Sequence, residues 1–566
     1  MGKKLTGYPS IDKPWLKYYS EEDKNVVFQE MTMYQMLNNS CNGYLDDCCI
    51  EYYGNKITYN KFIKNVSRTV NCFHNMGIRK GDIVTIVSMQ TPETLYSIYA
   101  LNYIGAIANM LYMTMSETEI LESVANTNSK ALLMLELLVE KAENLSNQIK
   151  IPIIILPLAD SMPTIAKVVF KMKNKNRHNL SAYGKCVNKI LSKTEVEMCT
   201  DSNATAIIVY TSGTTGVPKG VMLSNNCLNA IVFGCQHSGK NYRRGETFLD
   251  VIPPFLGFGI SMNHLGLCTG IIMQIILDPD PDVIAKSFVK LKSNRLVYGP
   301  RLADSIIRYA KGNLEYLIEF TGGGEAIALD KENAINQFLK EHNASTKYTT
   351  GYGMTEATSV VGYNLNHAYK PGSAGIPLPR TNIKVVDDGI EQSYNNTGEL
   401  CICAPSVMQG YYKNPQATSE VLEVDDNGVV WLHTGDIGYV DEDGFIFITG
   451  RMKRIYTVFG KDNNLYKLFP QRIEEFIQGL PKVKNCAVVV REDSEKAHVA
   501  IAYVVVDNVN DDQGRIIEDI KTAINQNLPE HLVPENIILV DNMPLTTSGK
   551  IDYRVLENMR NSSDTV

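Results

Sequence analysis

Residues 207–220 read Ile-Ile-Val-Tyr-Thr-Ser-Gly-Thr-Thr-Gly-Val-Pro-Lys-Gly. An apolar, strand-like run breaks into a loop of hydroxyls and glycines that closes on one lysine. Glycine permits positive φ and close backbone approach, and successive backbone N–H groups in such a loop form a concavity for anions. Thr211, Ser212, Thr214 and Thr215 add hydroxyl donors, Gly213 and Gly216 allow the turns, and Lys219 adds a point charge just after Pro218. The chemistry this implies is a grip on phosphate. The stretch is not the G-x-x-x-x-G-K-[ST] loop, because neither the spacing nor the final Ser/Thr fits. An ordinary surface loop would explain the glycines, but not four hydroxyls and a lysine behind a buried strand.

Other segments offer complementary groups. Tyr352-Gly353-Met354-Thr355-Glu356 supplies a ring that can cover a flat base, a hydroxyl for phosphate and a carboxylate for Mg²⁺. Thr321-Gly-Gly-Gly-Glu-Ala326 is an open glycine turn where a planar group can approach the backbone. His433-Thr-Gly-Asp436 sets a carboxylate beside a glycine, as binding a diol through two hydrogen bonds requires. Gly450-Arg-Met-Lys453 follows, and Pro544–Ile551 places Lys550 on a glycine turn. His433 and His264 read as packing or hydrogen-bonding residues.

The elements behind these loops are legible as texture. Residues 80–106 read as strand, loop, helix and a tight glycine turn, and short apolar runs recur at Ala131–Leu135, Ile153–Leu156 and Ala206–Tyr210. Buried short strands alternating with helices predict a parallel α/β sheet. From about Asn382 the pattern becomes short strands with turns, which suits a small β-rich, barrel-like subdomain over about 382–450. After Gly450 it is mixed again. The expected organisation is a large N-terminal domain, 1–450, and a small separate α+β domain, 451–566, that carries Lys550; its mobility is what the resemblance given below implies.

A chain of 566 residues exceeds one core. Its 44% hydrophobic and 21% charged content is that of a soluble globular protein. A formal charge of −7 argues against general nucleic-acid binding. No apolar run approaches the roughly 20 residues of a transmembrane helix. The first residues lack the apolar stretch of a secretory signal and match an acylation pattern common by chance. Twelve cysteines without a regular framework fit a reduced, cytoplasmic protein of buried thiols; neither Cys48-Cys49 nor Cys401-x-Cys403 has zinc-site spacing. From Ala166 to Lys193 there are eight Lys/Arg and no acidic residue, with Val168, Val169, Phe170 and Met172 beside them. Such a segment suits a solvated helical insertion, weak contact with an anionic membrane surface, or an acidic protein partner.

The ordered set Y-T-S-G-T-T-G-V-P-K-G, Y-G-M-T-E, H-T-G-D, G-R-x-K and S-G-K resembles that of the adenylate-forming superfamily of acyl- and aryl-CoA ligases, luciferases and peptide-synthetase adenylation domains. The resemblance runs from about Tyr34 to Arg554. It implies that Thr211–Lys219 hold the triphosphate of ATP, that Gly324, Glu325, Ala326, Tyr352, Gly353 and Met354 line the nucleotide, and that Thr355 contacts the α-phosphate. Glu356 would ligate Mg²⁺, and Asp436 and Arg451 would hold the ribose. Lys550 would bridge the substrate carboxylate and the α-phosphate, where a fixed ammonium removes anion repulsion as charge develops. A thiol then attacks the acyl-AMP, and Lys453 matches the hinge about which the C-terminal domain reorients.

Three departures matter. Where many relatives carry a histidine in the loop Ile252–Gly259, this chain has Leu256, so Phe255, Leu256 and Phe258 imply an apolar acyl pocket for a fatty or aryl carboxylate. The same region lacks the aspartate that amino-acid-activating relatives use, and burying an unpaired ammonium would be costly. After the hinge, residues 460–470 form a lengthened loop, and Arg472 takes the first glutamate position of P-x-E-I-E. CoA is the expected acceptor; the alternative is an acidic carrier protein bearing phosphopantetheine. A non-enzymatic relative is disfavoured because Lys550, Glu356 and Asp436 are all present.

Overall fold

The computed structural model describes residues 5–173, 181–182, 195–211, 218–323, 327–454, 456–459, 465–493, 496–507, 512–546 and 550–559. Its first sheet is ordered Gly410–Tyr411, Gly220–Ser224, Thr205–Tyr210, Ile107–Leu111, Ile83–Val87, Ala131–Leu135, Ile153–Leu156, Ser181–Ala182. It is parallel from Thr205–Tyr210 onward and antiparallel at the Gly220–Ser224 end. The apolar runs expected to be strands therefore share one sheet, buried on both faces as parallel strands require.

The segment 80–106 folds as read. Strand Ile83–Val87 leads to helix Pro92–Ile104, whose cap Thr91 accepts the N–H of Thr94. The helix is buried almost all round, so the absence of an amphipathic stripe is correct for its position. It stops at Gly105, with φ of 80° and a would-be Cβ only 2.9 Å from Cys199 Sγ.

A second sheet of nine strands is parallel through Tyr348–Tyr352, Glu319–Gly323, Arg295–Val297, Thr247–Asp250, Ile272–Ile275 and Cys48–Tyr52, with antiparallel edges. Two parallel sheets thus stand where the texture announced one kind of layer. The β-rich region is an antiparallel sheet built on Asn382–Asp387, Gly398–Cys403, Leu422–Val424, Val430–Val440 and Ile446–Arg451.

Further along, Val483–Asp493 pairs antiparallel with Ala497–Val506, which pairs parallel with Asn536–Leu539. Helices Pro470–Gln478 and Gln513–Asn527 pack here, and the two apolar cores of this region contain no residue before Tyr456. Of the basic segment, helix Thr164–Lys173 is described, with Ile165, Val168, Val169 and Met172 exposed; residues 174–180 and 183–194 lie outside the described residues. No helix among the described residues is long and apolar enough to cross a membrane.

Candidate active site

Three of the sequence motifs meet at one carboxylate. Asp436 lies on Val430–Val440, directly opposite Arg451 on the neighbouring strand. The Arg451 Nε is 2.8 Å from Asp436 Oδ1, and the Tyr352 hydroxyl donates to Oδ2 at 2.7 Å. The Asp436 N–H donates to Thr434 Oγ1 at 3.0 Å. Asp436 is 3% exposed, so each oxygen needs such a partner. Burial, then the Asp436 charge, holds the Tyr352 phenol well above its ordinary range, so it stays a donor at neutral pH. Strand register sets Asp436 of H-T-G-D opposite Arg451 of G-R-x-K, and Tyr352 of Y-G-M-T-E reaches the same carboxylate from the end of a strand in the nine-stranded sheet.

A second cluster joins the glycine-rich loop to the metal candidate. Tyr411 donates its hydroxyl to Glu356 Oε1 at 2.8 Å, and Lys219 Nζ stands 4.8 Å from the centre of the same ring. Tyr411 is carried here because Gly410–Tyr411 pairs with Gly220–Ser224, and Tyr412 N donates to Gly220 O. Thr211 N donates to Lys219 O at 3.1 Å, closing the base of the loop. Glu356 and Lys219 are therefore held about one aromatic ring apart, an arrangement suited to a magnesium–phosphate pair: carboxylate oxygen is the ligand class that Mg²⁺ takes, and ammonium suits phosphate. Sequence reasoning missed Tyr411; the Gly410-Tyr411-Tyr412 run after the β-rich strands was its only local signal.

The Tyr352–Glu356 turn is tightly constructed. A Cβ on Gly353 would fall 1.4 Å from Ser359 O, so only glycine fits. Thr355 opens a short 3₁₀ turn that ends at Thr358, a β-branched residue at φ of 66°. That strained conformation is held by Thr358 Oγ1 donating to Ser406 O and Ser261 Oγ donating to Thr358 O. Ser261 belongs to helix Gly257–Thr269, and a Cβ on Gly257 would lie 3.4 Å from Thr355 Cγ2. The expected acyl loop thus abuts Thr355, the residue expected to contact the α-phosphate.

Phe255 is buried, with its ring centroid 5.1 Å from that of Tyr112, whose hydroxyl donates to Tyr210 O. Leu256 and Phe258 are partly buried, each packed against both large cores. Asp250, at the end of the strand before this loop, is pushed up to about 8 by burial, while Asn263 donates to its Oδ2 at 2.9 Å. His264 is structural, as the sequence suggested. Burial holds its pKa near 3, Nδ1 faces the Tyr99 hydroxyl at 2.8 Å, and Nε2 faces Asn229 Oδ1 at 2.8 Å; a neutral Nε2–H tautomer satisfies both partners.

Lys550 is exposed at a turn. Leu545 and Ile551 form an antiparallel bridge, and Thr546 N donates to Lys550 O at 2.7 Å. Next to the hinge candidate, Arg454 makes a bidentate pair with Glu474 at 2.8 and 3.2 Å. Glu474 also accepts from Val488 N and from the Tyr553 hydroxyl. It is the second glutamate of the altered P-x-E-I-E segment, kept where the first became Arg472. Ser212, Gly213, Thr214, Thr215, Gly216, Gly324, Glu325, Ala326, the Lys453 side chain and residues 460–464 lie outside what the structure describes.

Comparison with known proteins agrees with this architecture. A long-chain-fatty-acid–CoA ligase of Bacillus subtilis is 25% identical, covering 96% of this chain and 97% of its own. A 4-coumarate–CoA ligase of Arabidopsis thaliana is 26% identical over 88% and 87% of the two chains. ATP-bound MatB from Rhodopseudomonas palustris, at 21% identity, superposes with a TM-score of 0.78 over 93% of this chain and 98% of that one, which speaks to the fold. The model of the AMP-binding enzyme C-terminal domain matches residues 472–550. The AMP-binding enzyme model itself matches residues 37–412, and with it the chain belongs to the AMP-binding enzyme family of the adenylate-forming superfamily.

Proposed function

We propose that this chain is an AMP-forming acid–thiol ligase that adenylates a fatty or aryl carboxylic acid and passes the acyl group to CoA. The convergence of Tyr352, Asp436 and Arg451 at one buried carboxylate carries the reading. In it, Asp436 accepts the ribose hydroxyls beside Arg451, and Tyr352 with Gly353, Met354 and residues 324–326 lines the base. Thr211–Lys219 hold the triphosphate, Lys219 attends the departing pyrophosphate, and Thr355 contacts the α-phosphate. Glu356 holds Mg²⁺, which draws charge from the phosphate oxygens when bound. Tyr411 keeps that carboxylate aimed. Lys550 pairs the two approaching anions during adenylation. The carboxylate oxygen attacks the α-phosphorus, pyrophosphate leaves, and a thiolate then displaces AMP from the acyl carbon.

The domain boundary falls at 450/451 in this reading, with Lys453 as the pivot that withdraws Lys550 between the half-reactions. Phe255, Leu256 and Phe258 form the acyl pocket, where an aliphatic Leu256 favours an apolar acid. The eleven described cysteines are all free thiols, which supports a reducing, cytoplasmic setting. The run of eight Lys/Arg without an acidic residue from Ala166 to Lys193, beside the exposed Val168, Val169 and Met172, favours one second reading, transfer to the phosphopantetheine arm of an acidic carrier protein.

ATP–pyrophosphate exchange over a panel of fatty, aryl and amino acids tests the proposal. Exchange with an apolar acid is the expected result, and none with any carboxylate would sink it. Adding CoA or a loaded carrier then separates the acceptors, because thioester on CoA alone excludes obligate carrier loading.

A further inference from the structure

The antiparallel sheet carries a mixed donor set that the ligase reading does not use. Glu399 and Cys401 stand two apart on strand Gly398–Cys403, and His433 lies directly opposite Cys401 on the next strand. One ligand atom from each falls within 4.8 Å of the others. His433 Nδ1 is 3.5 Å from Cys401 Sγ and 2.8 Å from Glu399 Oε2. Its Nε2 is 2.9 Å from Glu423 Oε2, on the strand flanking the other side. Glu399 Oε1 accepts the Gly435 N–H at 2.8 Å, and Lys384 Nζ lies 3.6 Å from Glu423 Oε2. Cys401 is fully buried, while His433 keeps partial access to solvent.

We propose that Glu399, Cys401 and His433 bind a zinc-type divalent cation, with Glu423 orienting the imidazole. A tetrahedral zinc at ordinary bond lengths separates a nitrogen ligand from a sulfur by about 3.5 Å and from an oxygen by about 3.4 Å. The first spacing is already present, and the second needs the Glu399 carboxylate to yield by about half an ångström. Thiolate and imidazole select zinc over magnesium, so the site does not compete for the nucleotide's metal. A carboxylate on the far nitrogen of a ligating histidine fixes its tautomer and raises its basicity, which is the place Glu423 occupies. Binding displaces the Cys401 thiol proton and the His433 proton to solvent, leaving a thiolate and a neutral imidazole.

No local motif announces the set, because its ligands come from two strands joined by register. The cation would tie those strands together immediately before Thr434-Gly435-Asp436, whose first residue already donates to Leu400 O at 2.7 Å. Without metal, the same groups form a closed ion-pair cluster. Hydrogen bonding to Cys401, then to Glu399, raises His433 to about 11 there, so imidazolium between two carboxylates is the competing state.

The test uses the full chain, reduced and stripped with a chelator, titrated with Zn²⁺ against a chromophoric competitor and separately with Co²⁺. One equivalent should bind, and Co²⁺ should give the near-ultraviolet absorption of a cobalt–thiolate bond. Cys401→Ser should abolish that absorption. Glu423→Gln, at a half-exposed position where folding is not at stake, should weaken Zn²⁺ by roughly 10- to 100-fold. The ion-pair cluster replaces the metal site if no thiolate absorption develops or if it survives Cys401→Ser, and an unchanged affinity in Glu423→Gln overturns the orienting role of that carboxylate. None of these readouts involves ATP or a carboxylic acid, so they stand apart from the ligase proposal.

Discussion

Asp436 and Lys550 are both charged residues assigned to the same reaction, and they are held in opposite ways. Asp436 is 3% exposed, sits mid-strand, and is engaged by Arg451, Tyr352 and Thr434 from three stretches of chain. Lys550 is exposed at a turn whose described closure is one bridge and the backbone bonds Thr546 N to Lys550 O and Asp552 N to Pro544 O. A group that must meet the nucleotide in one geometry benefits from preorganisation. A group that must leave between half-reactions cannot be buried, because each departure would break its bonds. The contrast fits the two-step chemistry proposed for this chain.

Substitutions can break that contrast, and the largest effect belongs to the exposed residue. Lys550→Ala should lower ATP–pyrophosphate exchange by about 100- to 1000-fold while the melting temperature stays within error, since surface changes seldom exceed about 0.5 kcal/mol. Thioester formation from supplied acyl-AMP should survive in the same variant; equal loss of both activities would contradict its withdrawal.

Asp436→Ala should behave in the opposite sense. It leaves the Tyr352 hydroxyl and the Arg451 guanidinium without their acceptor, so unfolding should show a loss of roughly 1–3 kcal/mol alongside a raised KM for ATP. Unchanged stability would remove the basis of the comparison. Tyr411→Phe keeps the ring beside Lys219 but deletes the bond to Glu356. Hydrogen bonds to charged groups contribute roughly 1.5–3 kcal/mol, so the KM for Mg·ATP should rise by about tenfold or more, with little change in the dependence on the acid.

The smallest effect sharpens the picture of the buried end. Asp250 has a folded pKa near 8 against an ordinary 3.8. The folded state therefore retains a proton that the unfolded state releases, and stability from this group falls as pH rises between those values. Asp250→Asn should flatten that part of the melting temperature's dependence on pH, and a slope identical to the parent's would show that Asp250 ionises normally.

The sequence disclosed most of the scaffold because buried parallel strands are short unbroken apolar runs. Ala131–Leu135, Ile153–Leu156 and the run ending at Tyr210 needed no context to be read. The motif residues were legible for a different reason: Gly353 is fixed by the approach of Ser359 O, and loops that touch phosphates leave few choices of residue. What stayed hidden depends on non-local pairing. Tyr411 reaches Glu356 only because a two-residue strand docks on Gly220–Ser224. The Glu399–Cys401–His433 set exists only in the register of Gly398–Cys403 against Val430–Val440. The positive φ of Thr358 was equally unreadable, since nothing in Glu-Ala-Thr-Ser announces it.

The bond set around Glu474 has a mechanical consequence. Arg454, one residue past the proposed pivot, is clamped to Glu474 of helix Pro470–Gln478, and Glu474 is clamped to Val488 of edge strand Val483–Asp493 and to Tyr553 near the end of the described residues. Torque applied at residue 453 therefore reaches three elements at once instead of being absorbed by the first strand. In the proposed pivoting the domain would turn as a stiff crank: a small dihedral change at its axle would become a long arc at Lys550.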